Sequence, residues 1–246
     1  MYLTTKGLVL RVTDYNDRDC LLTLLTPESG KLTVKAMGLR RKNSPLTAPC
    51  QLLAYGDFVL FEYKGSYTIN EATSVNLFPA LRRDLTRLSL GTYFAQVAEL
   101  LSQEDLPNPE LLSLVLNCLH VLCKGMAEEK VKAVFELRVA ALAGYMPELS
   151  CCHVCGEPAP QLFDLSAGCM ECATCRSPGS GGIRLPVSPG TLQAMCYIVL
   201  CDPKKLFSFD LGEENMLQLS QITEAYLTTQ LERGFSTLDF YKSLLI

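Results

Sequence analysis

The sequence has few of the features that catalysis or membrane insertion requires. Its 246 residues include only two His, and it has no GxxxxGKS/T phosphate loop, GxGxxG turn, GxSxG elbow or HExxH helix. No run approaches the ~18 consecutive apolar residues of a membrane span. The first residues also lack the apolar core of a signal peptide. These absences predict a non-enzymatic protein that stays in the cytosol.

The chain also lacks an excess of positive charge. Its 22 Lys and Arg face 26 Asp and Glu, for a net charge of −4. This balance excludes a protein that coats nucleic acid through overall basicity. The charge is uneven, however, because residues 1–80 hold nine Lys and Arg against seven Asp and Glu, and residues 81–246 hold thirteen against nineteen. We therefore expect any anion-binding face in the first third of the chain.

Short runs of alternating apolar residues predict five strands in the first 76 residues. The runs are 7–12, 20–26, 31–37, 58–63 and 67–75. Five short strands predict a small closed barrel of the OB type, although strand count alone does not separate it from an SH3-like barrel.

From about residue 80 the apolar spacing changes to three or four, which predicts helices. The predicted fold class is therefore α+β, with an OB-type domain at 1–79 and a helical domain at 80–246. A segment at about 147–186, rich in Cys, Gly, Ser and Pro, shows no period. It is predicted to be an irregular insert rather than a packed element.

That insert carries the strongest motif in the sequence. Twelve Cys in a reducing compartment favour metal ligation or buried thiols over disulfides. Two CxxC pairs, sixteen residues apart, supply the four thiolates of a closed tetrahedral zinc site, which is structural rather than catalytic. The predicted ligands are Cys152, Cys155, Cys172 and Cys175. Unmetallated thiols or a redox CxxC pair remain alternatives, and so do ligation by His153 and a register shifted to Cys151 or Cys169.

A basic segment follows the third predicted strand. Together with cations on that strand and earlier in the chain, it could form a groove for a phosphate backbone, with aromatic stacking platforms beside it. The candidate cations are Arg11, Arg18, Lys31, Lys35, Arg40, Arg41 and Lys42, and the candidate platforms are Tyr15, Phe61, Tyr63 and Tyr67. The alternative interpretation is a solvated turn.

The order of these features resembles the bacterial RecO family of recombination mediators. The likeness rests on the motif at 38–44, on 144–147 before the first CxxC, on the paired CxxC itself and on 231–236, and it extends over nearly the whole chain. It implies an OB fold followed by a helical bundle with a zinc finger.

The resemblance also implies a non-enzymatic DNA repair function. Family members bind single-stranded DNA, anneal complementary strands and work with RecR to load RecA onto DNA covered by single-strand-binding protein (SSB). They contact the acidic, apolar SSB tail through the helical domain, where Lys132 and Arg138 are the candidate cations. Arg138 could instead snorkel or pair with an acid. The competing hypothesis is a zinc-stabilised scaffold with no DNA affinity.

Overall fold

The computed structural model describes residues 1–175 and 182–245. The chain forms two compact units: unit 1 comprises Met1–Gly125 and Phe235–Ile246, and unit 2 comprises Met126–Gly234. The domain boundary near residue 79 stays a prediction, because compactness divides the chain elsewhere. No helix within the described ranges is long and apolar enough to cross a membrane.

Unit 1 is built on a closed five-stranded barrel, and each of its strands overlaps a predicted run. The strands are β1 (Tyr2–Asp14), β2 (Cys20–Thr26), β3 (Gly30–Ala36), β4 (Tyr55–Tyr63) and β5 (Ser66–Asn76). They close in the order β1-β2-β3-β5-β4, with β1 antiparallel to β4 and β3 parallel to β5. The predicted OB-type barrel is confirmed.

The barrel core follows from the alternation along each strand. Leu32, Val34 and Ala36 of β3 point inward and are buried, as are Phe58 and Leu60 of β4. Each large side chain buried in this way contributes about 1.5–3 kcal/mol. The intervening residues of β3 therefore lie on the outer face of the barrel.

Six helices lie in the described part of the chain. They are α1 (Leu85–Leu101), α2 (Pro109–Cys123), α3 (Glu128–Leu142), α4 (Pro189–Leu200), α5 (Glu213–Gln230) and α6 (Ser236–Ser243). Local signals explain where three of them begin, because the side chains of Asp84, Asn108 and Ser188 accept hydrogen bonds from the first turns of α1, α2 and α4. Helix α6 was not predicted, since its eight residues offer little more than two turns of periodicity.

Unit 2 contains α3, α4 and α5 together with a small sheet. The sheet has four short strands in the order β6-β8-β7-β9: β6 (Glu148–Cys152), β7 (Leu162–Asp164), β8 (Cys169–Glu171) and β9 (Arg184–Pro186). The prediction of an irregular insert was therefore wrong. Phe163 and Met170 on these strands are buried, and the Phe163 ring packs against that of Tyr226, with centroids 5.1 Å apart.

Candidate metal centre and nucleic-acid interface

The two CxxC turns meet at the end of the small sheet. Cys152 is the last residue of β6, and Cys172 directly follows β8, which is the neighbour of β6. The N–H of Cys172 donates to Sγ of Cys152 at 3.3 Å, and Sγ of Cys155 lies 3.6 Å from Sγ of Cys172. Gly156, with φ +76°, takes the left-handed conformation that the first turn requires.

The four sulfurs fit a tetrahedral metal. Sγ atoms of Cys152, Cys155, Cys172 and Cys175 all lie within 4.8 Å of one another. Zinc bound by four thiolates at about 2.3 Å separates the sulfurs by about 3.8 Å, so a contraction of about 1 Å at most would complete the shell. The structure therefore brings together the four predicted ligands, in the predicted register.

Local hydrogen bonds prepare two of these thiols to bind a cation. The Thr174 hydroxyl lowers the pKa of Cys172 to about 6, and the backbone N–H of Cys155 lowers the pKa of Cys152. Metals bind thiolates, so these two shifts favour ligation, whereas hydrogen bonds with neighbouring cysteine sulfurs raise the pKa of Cys155 and that of Cys175.

The alternative ligands lie elsewhere. Cys169 is on β8 and its pKa is raised to about 11 by burial, while Nε2 of His153 lies 3.5 Å from Oε1 of Glu171. Neither they nor Cys151 belong to the group of ligands that converges within the described ranges.

An arginine that the sequence analysis did not single out joins the strands beside this cluster. Nε of Arg184 lies 2.6 Å from Oε2 of Glu171, and its Nη2 lies 3.0 Å from Oδ2 of Asp164. All three side chains are largely buried. Because Glu171 immediately precedes Cys172, this guanidinium clamp braces the strand that delivers the second CxxC turn. No motif signals it, since its partners lie 13 and 20 positions away in the sequence.

Five of the seven candidate DNA-binding cations meet at one end of the barrel. We call this group, together with the exposed Tyr15, the loop platform; its cations are Arg18, Lys35, Arg40, Arg41 and Lys42. The β1–β2 loop and the loop after β3 are tied together here, because the Arg40 N–H donates to the Arg18 carbonyl at 3.1 Å and the Gly38 N–H donates to Asp19 at 2.7 Å. The Lys35 ammonium lies 5.3 Å from the centre of the Tyr15 ring.

Acidic side chains organise the loop platform. The Gly38 N–H lowers the pKa of the Asp19 carboxyl, with a further contribution from Asn16. Nη1 of Arg40 lies 3.1 Å from Oδ2 of Asp14, yet about half of the Arg40 side chain is exposed. An ion pair as exposed as this one contributes about 0–1 kcal/mol, so a phosphate can replace the carboxylate.

The other two candidate cations lie against α1. Nη2 of Arg11 lies 3.0 Å from Oε1 of Glu99, and Nζ of Lys31 donates to the Glu99 carbonyl at 3.3 Å. Thr23, between them on β2, is buried beside the same glutamate, with its hydroxyl 3.5 Å from Oε1. The structure therefore separates Arg11 and Lys31 from the loop platform.

The two candidate partner-binding cations lie in unit 2. Lys132 is only 3% exposed, and its ammonium lies 3.2 Å from Glu136 and 2.8 Å from Glu224. It does not offer a cation at the surface of this unit. Arg138 is half-buried and donates to the carbonyls of Ile198 and Val199 near the end of α4.

Two family models cover nearly the whole chain. The model described as Recombination protein O N terminal matches residues 1–78, and the one described as Recombination protein O C terminal matches residues 82–239. The chain belongs to the RecO family. The resemblance found in the sequence is thereby confirmed, and the family is one of DNA repair proteins.

Individual relatives agree with the family models. A protein named DNA repair protein RecO from Acetivibrio thermocellus is 33% identical over 250 residues, which span 99% of this chain and 97% of that protein. Its namesake from Heliobacterium modesticaldum is 32% identical, spanning 95% of this chain and 88% of its own. The Bacillus subtilis protein of the same name is 27% identical, with 92% and 88% covered.

Proposed function

We propose that this protein is a non-enzymatic recombination mediator that binds single-stranded DNA through the loop platform. In this role it anneals complementary strands and helps RecR load RecA onto SSB-coated DNA in the cytoplasm. The observation that carries the proposal is the loop platform itself, where five cations and an exposed aromatic ring adjoin one another on an OB-type barrel. Barrels of this type commonly hold single strands with such loops and strand faces.

The acidic net charge makes this a local interaction. A chain with net charge −4 is not drawn to DNA by its overall field. Attraction must come from the loop platform, where Arg18, Arg41 and Lys42 are exposed. Each phosphate contact on a single strand contributes about −0.7 to the slope of log K against log salt. Three or four contacts therefore give a slope of about −2 to −3.

A salt-dependent titration with a labelled oligo-dT tests the proposal. Arg40→Ala plus Arg41→Ala should weaken binding and make the slope shallower by about 1.4. The control is Arg83→Ala plus Lys124→Ala, which removes two exposed cations of unit 1 outside the loop platform and should leave the slope unchanged. The same pair of variants is then compared in strand annealing with SSB present. A salt-independent titration, or equal behaviour of the two double variants, would favour the scaffold hypothesis.

The cysteine cluster has a structural role in this proposal. We infer that it binds zinc, because four converging thiolates are the ligands of a tetrahedral zinc site. Four protein ligands leave no position for water or substrate, so the zinc would be structural. In zinc-finger peptides such sites contribute an apparent 10–16 kcal/mol or so at neutral pH. That contribution would order a small sheet whose strands are only three to five residues long.

For the acidic SSB tail, Arg138 remains the proposed contact in the helical region. Arg138 is half-buried, and an acidic residue of the tail could add to the contacts that its guanidinium makes with the Ile198 and Val199 carbonyls. Lys132 is not proposed as a contact for the SSB tail, because Glu136 and Glu224 already pair with its ammonium inside unit 2.

A further inference from the structure

We propose that the bases of the bound strand stack on aromatic side chains that continue from the loop platform around the barrel, across β5 and β4 to β1. This inference rests on the proposed function, since it assumes that the loop platform holds the phosphates of a single strand. It adds a binding surface for bases. We call this surface the aromatic strip, and its rings are Tyr15, Phe61 and Tyr2, with Tyr63 at its margin.

Strand register places two of these rings, Phe61 and Tyr2, in one row with Lys35 on the outside of the barrel. Lys35 of β3 is paired with Thr68 of β5, Thr68 with Phe61 of β4, and Phe61 with Tyr2 of β1. Directly paired residues share a face of the sheet, and each strand adds about 4.8 Å. The row therefore runs for about 14 Å. It begins at Lys35, whose ammonium already lies over the Tyr15 ring.

The rings in this row are unusually accessible. Tyr2 is 62% exposed and Phe61 is 41% exposed, and their centroids lie 5.3 Å apart with the planes tilted by 55°. Tyr63 is two residues further along β4 and therefore on the same face, with the Lys64 ammonium 5.4 Å from its ring centre. Exposed apolar side chains that are contiguous mark binding surfaces, whereas scattered ones do not. Tyr67, by contrast, packs on the barrel core.

The chemistry of the surroundings favours nucleic acid as the occupant. One end of the strip is the loop platform with its five cations, and Lys64 lies at the other end, with its ammonium over the Tyr63 ring. The next row of paired residues, Thr4, Val59 and Glu71, has no ring. Two paired rings, a third ring beside Lys35 and cations at both ends match a chain of bases on a phosphate backbone.

The opposite side of the barrel is already occupied. The turn after α1 lies along β3, because the Lys31 N–H donates to the Gln103 carbonyl at 2.9 Å and Gly30 forms a bridge with Glu104. Leu25, on the outward face of β2, is fully buried. Two carboxylates, Glu99 and Glu104, also approach this face through Thr23 and Thr33. A strand that leaves the loop platform therefore finds exposed rings on the β5–β4–β1 side, where Glu71 is the acid of the next row, and a face already covered by the turn after α1 on the β2–β3 side.

The test compares two labelled oligonucleotides of equal length, oligo-dT and an abasic strand, which has the same phosphates but no bases. Tyr2→Ala and Phe61→Ala should each weaken oligo-dT binding by about 5-fold or more, since stacking of one base is worth that much. Both variants should bind the abasic strand as the wild type does, with an unchanged salt slope. Phe61→Tyr should retain affinity for oligo-dT, and Phe61→Leu, which keeps the bulk without the ring, should lose it.

Phe240→Ala is the matched control, because it removes an exposed ring of α6 in the same unit. It should bind both oligonucleotides normally. If Phe61→Ala and Tyr2→Ala bind oligo-dT as the wild type does, the strip serves another partner, such as a protein, and the inference is wrong. It is also wrong if Phe61→Leu keeps full affinity. The proposed function fails separately, if the wild type binds neither strand or if Arg40→Ala plus Arg41→Ala leaves both affinities unchanged.

Discussion

Replacing Arg184 by Met would test how the small sheet supports the cysteine cluster. The Arg184 guanidinium is the cation between two largely buried carboxylates, Asp164 on β7 and Glu171 on β8. Methionine has a similar length and keeps the apolar contacts of the stem, but it leaves the two acids without their shared cation. The substitution therefore isolates the charge of the clamp from its packing.

The structure indicates which of the two carboxylates should lose more stabilisation when the Arg184 guanidinium is removed. After the substitution Asp164 still accepts from the N–H groups of Ser166 and Ala167, at 2.8 and 2.9 Å. Glu171 keeps a longer contact with His153, whose Nε2 lies 3.5 Å from Oε1 of Glu171. Breaking a buried ion pair by removing one partner costs about 3–5 kcal/mol. Most of that cost should therefore appear at Glu171, the residue before Cys172, and weaken metal retention.

Chelator competition measures the effect. Loss of a group that orients metal ligands lowers metal affinity by about 10- to 100-fold, and the zinc-loaded Arg184→Met protein should release its metal at correspondingly lower chelator concentration. With cobalt in place of zinc, the visible absorption of the tetrahedral thiolate site should change in Arg184→Met and be partly restored in Arg184→Lys. Lysine keeps the charge but not the two-pronged contact. Arg233→Met, an exposed arginine of the same unit, is the control.

The reasoning would be refuted by an Arg184→Met protein that holds zinc as tightly as the wild type and has the same cobalt spectrum. A variant that merely unfolds is distinguished by circular dichroism of the loaded protein. Its helices should remain, because the clamp joins strands of the sheet rather than helices.

Three further predictions concern separate groups. Cys155→Ser should abolish near-stoichiometric zinc binding, measured by metal analysis, while the barrel keeps its fold. Burial raises the pKa of Glu136 to about 7 from 4.5, so the folded chain holds a proton that the unfolded chain releases. The free energy of unfolding should then fall as pH rises from about 4.5 to 7. Urea titrations at several pH values measure it, and its pH dependence should shrink in Glu136→Gln but not in Glu129→Gln, an exposed site on the same helix. Glu99→Gln should free Arg11 for a phosphate and steepen the salt slope by about 0.7, a gain that disappears in an Arg11→Ala background.

The barrel was predictable because each of its strands is long enough to show its alternation. Strand β3 has seven residues with Leu32, Val34 and Ala36 inward, and the tight turns on either side carry Gly. The CxxC ligands were predictable for a similar reason, because the CxxC spacing by itself brings two thiols of one turn close enough to bind the same ion. In both cases the decisive contacts are local in sequence.

What could not be predicted depends on partners far away in sequence. Strands of three residues, such as β7 and β8, are too short to show a period, so the sheet of the insert was missed. Lys132 lies on a helix that is buried nearly all round, and nothing near it indicates that Glu224, 92 residues later, neutralises its charge. Lys132 was proposed as a partner contact from the family resemblance, and its burial argues against that role.

The placement of Glu99 links the stability of unit 1 to its binding surface. Through Arg11, Thr23 and Lys31, this one residue at the end of α1 contacts three strands of the barrel. The contacts attach the helix to the barrel, but they also satisfy two cations that a phosphate would otherwise engage. Because the Arg11 side chain is largely exposed, its ion pair contributes little to stability, whereas a freed Arg11 would add a phosphate contact. On the proposed function, the Glu99 carboxylate would therefore matter more for keeping a DNA strand away from Arg11 than for holding the helix in position.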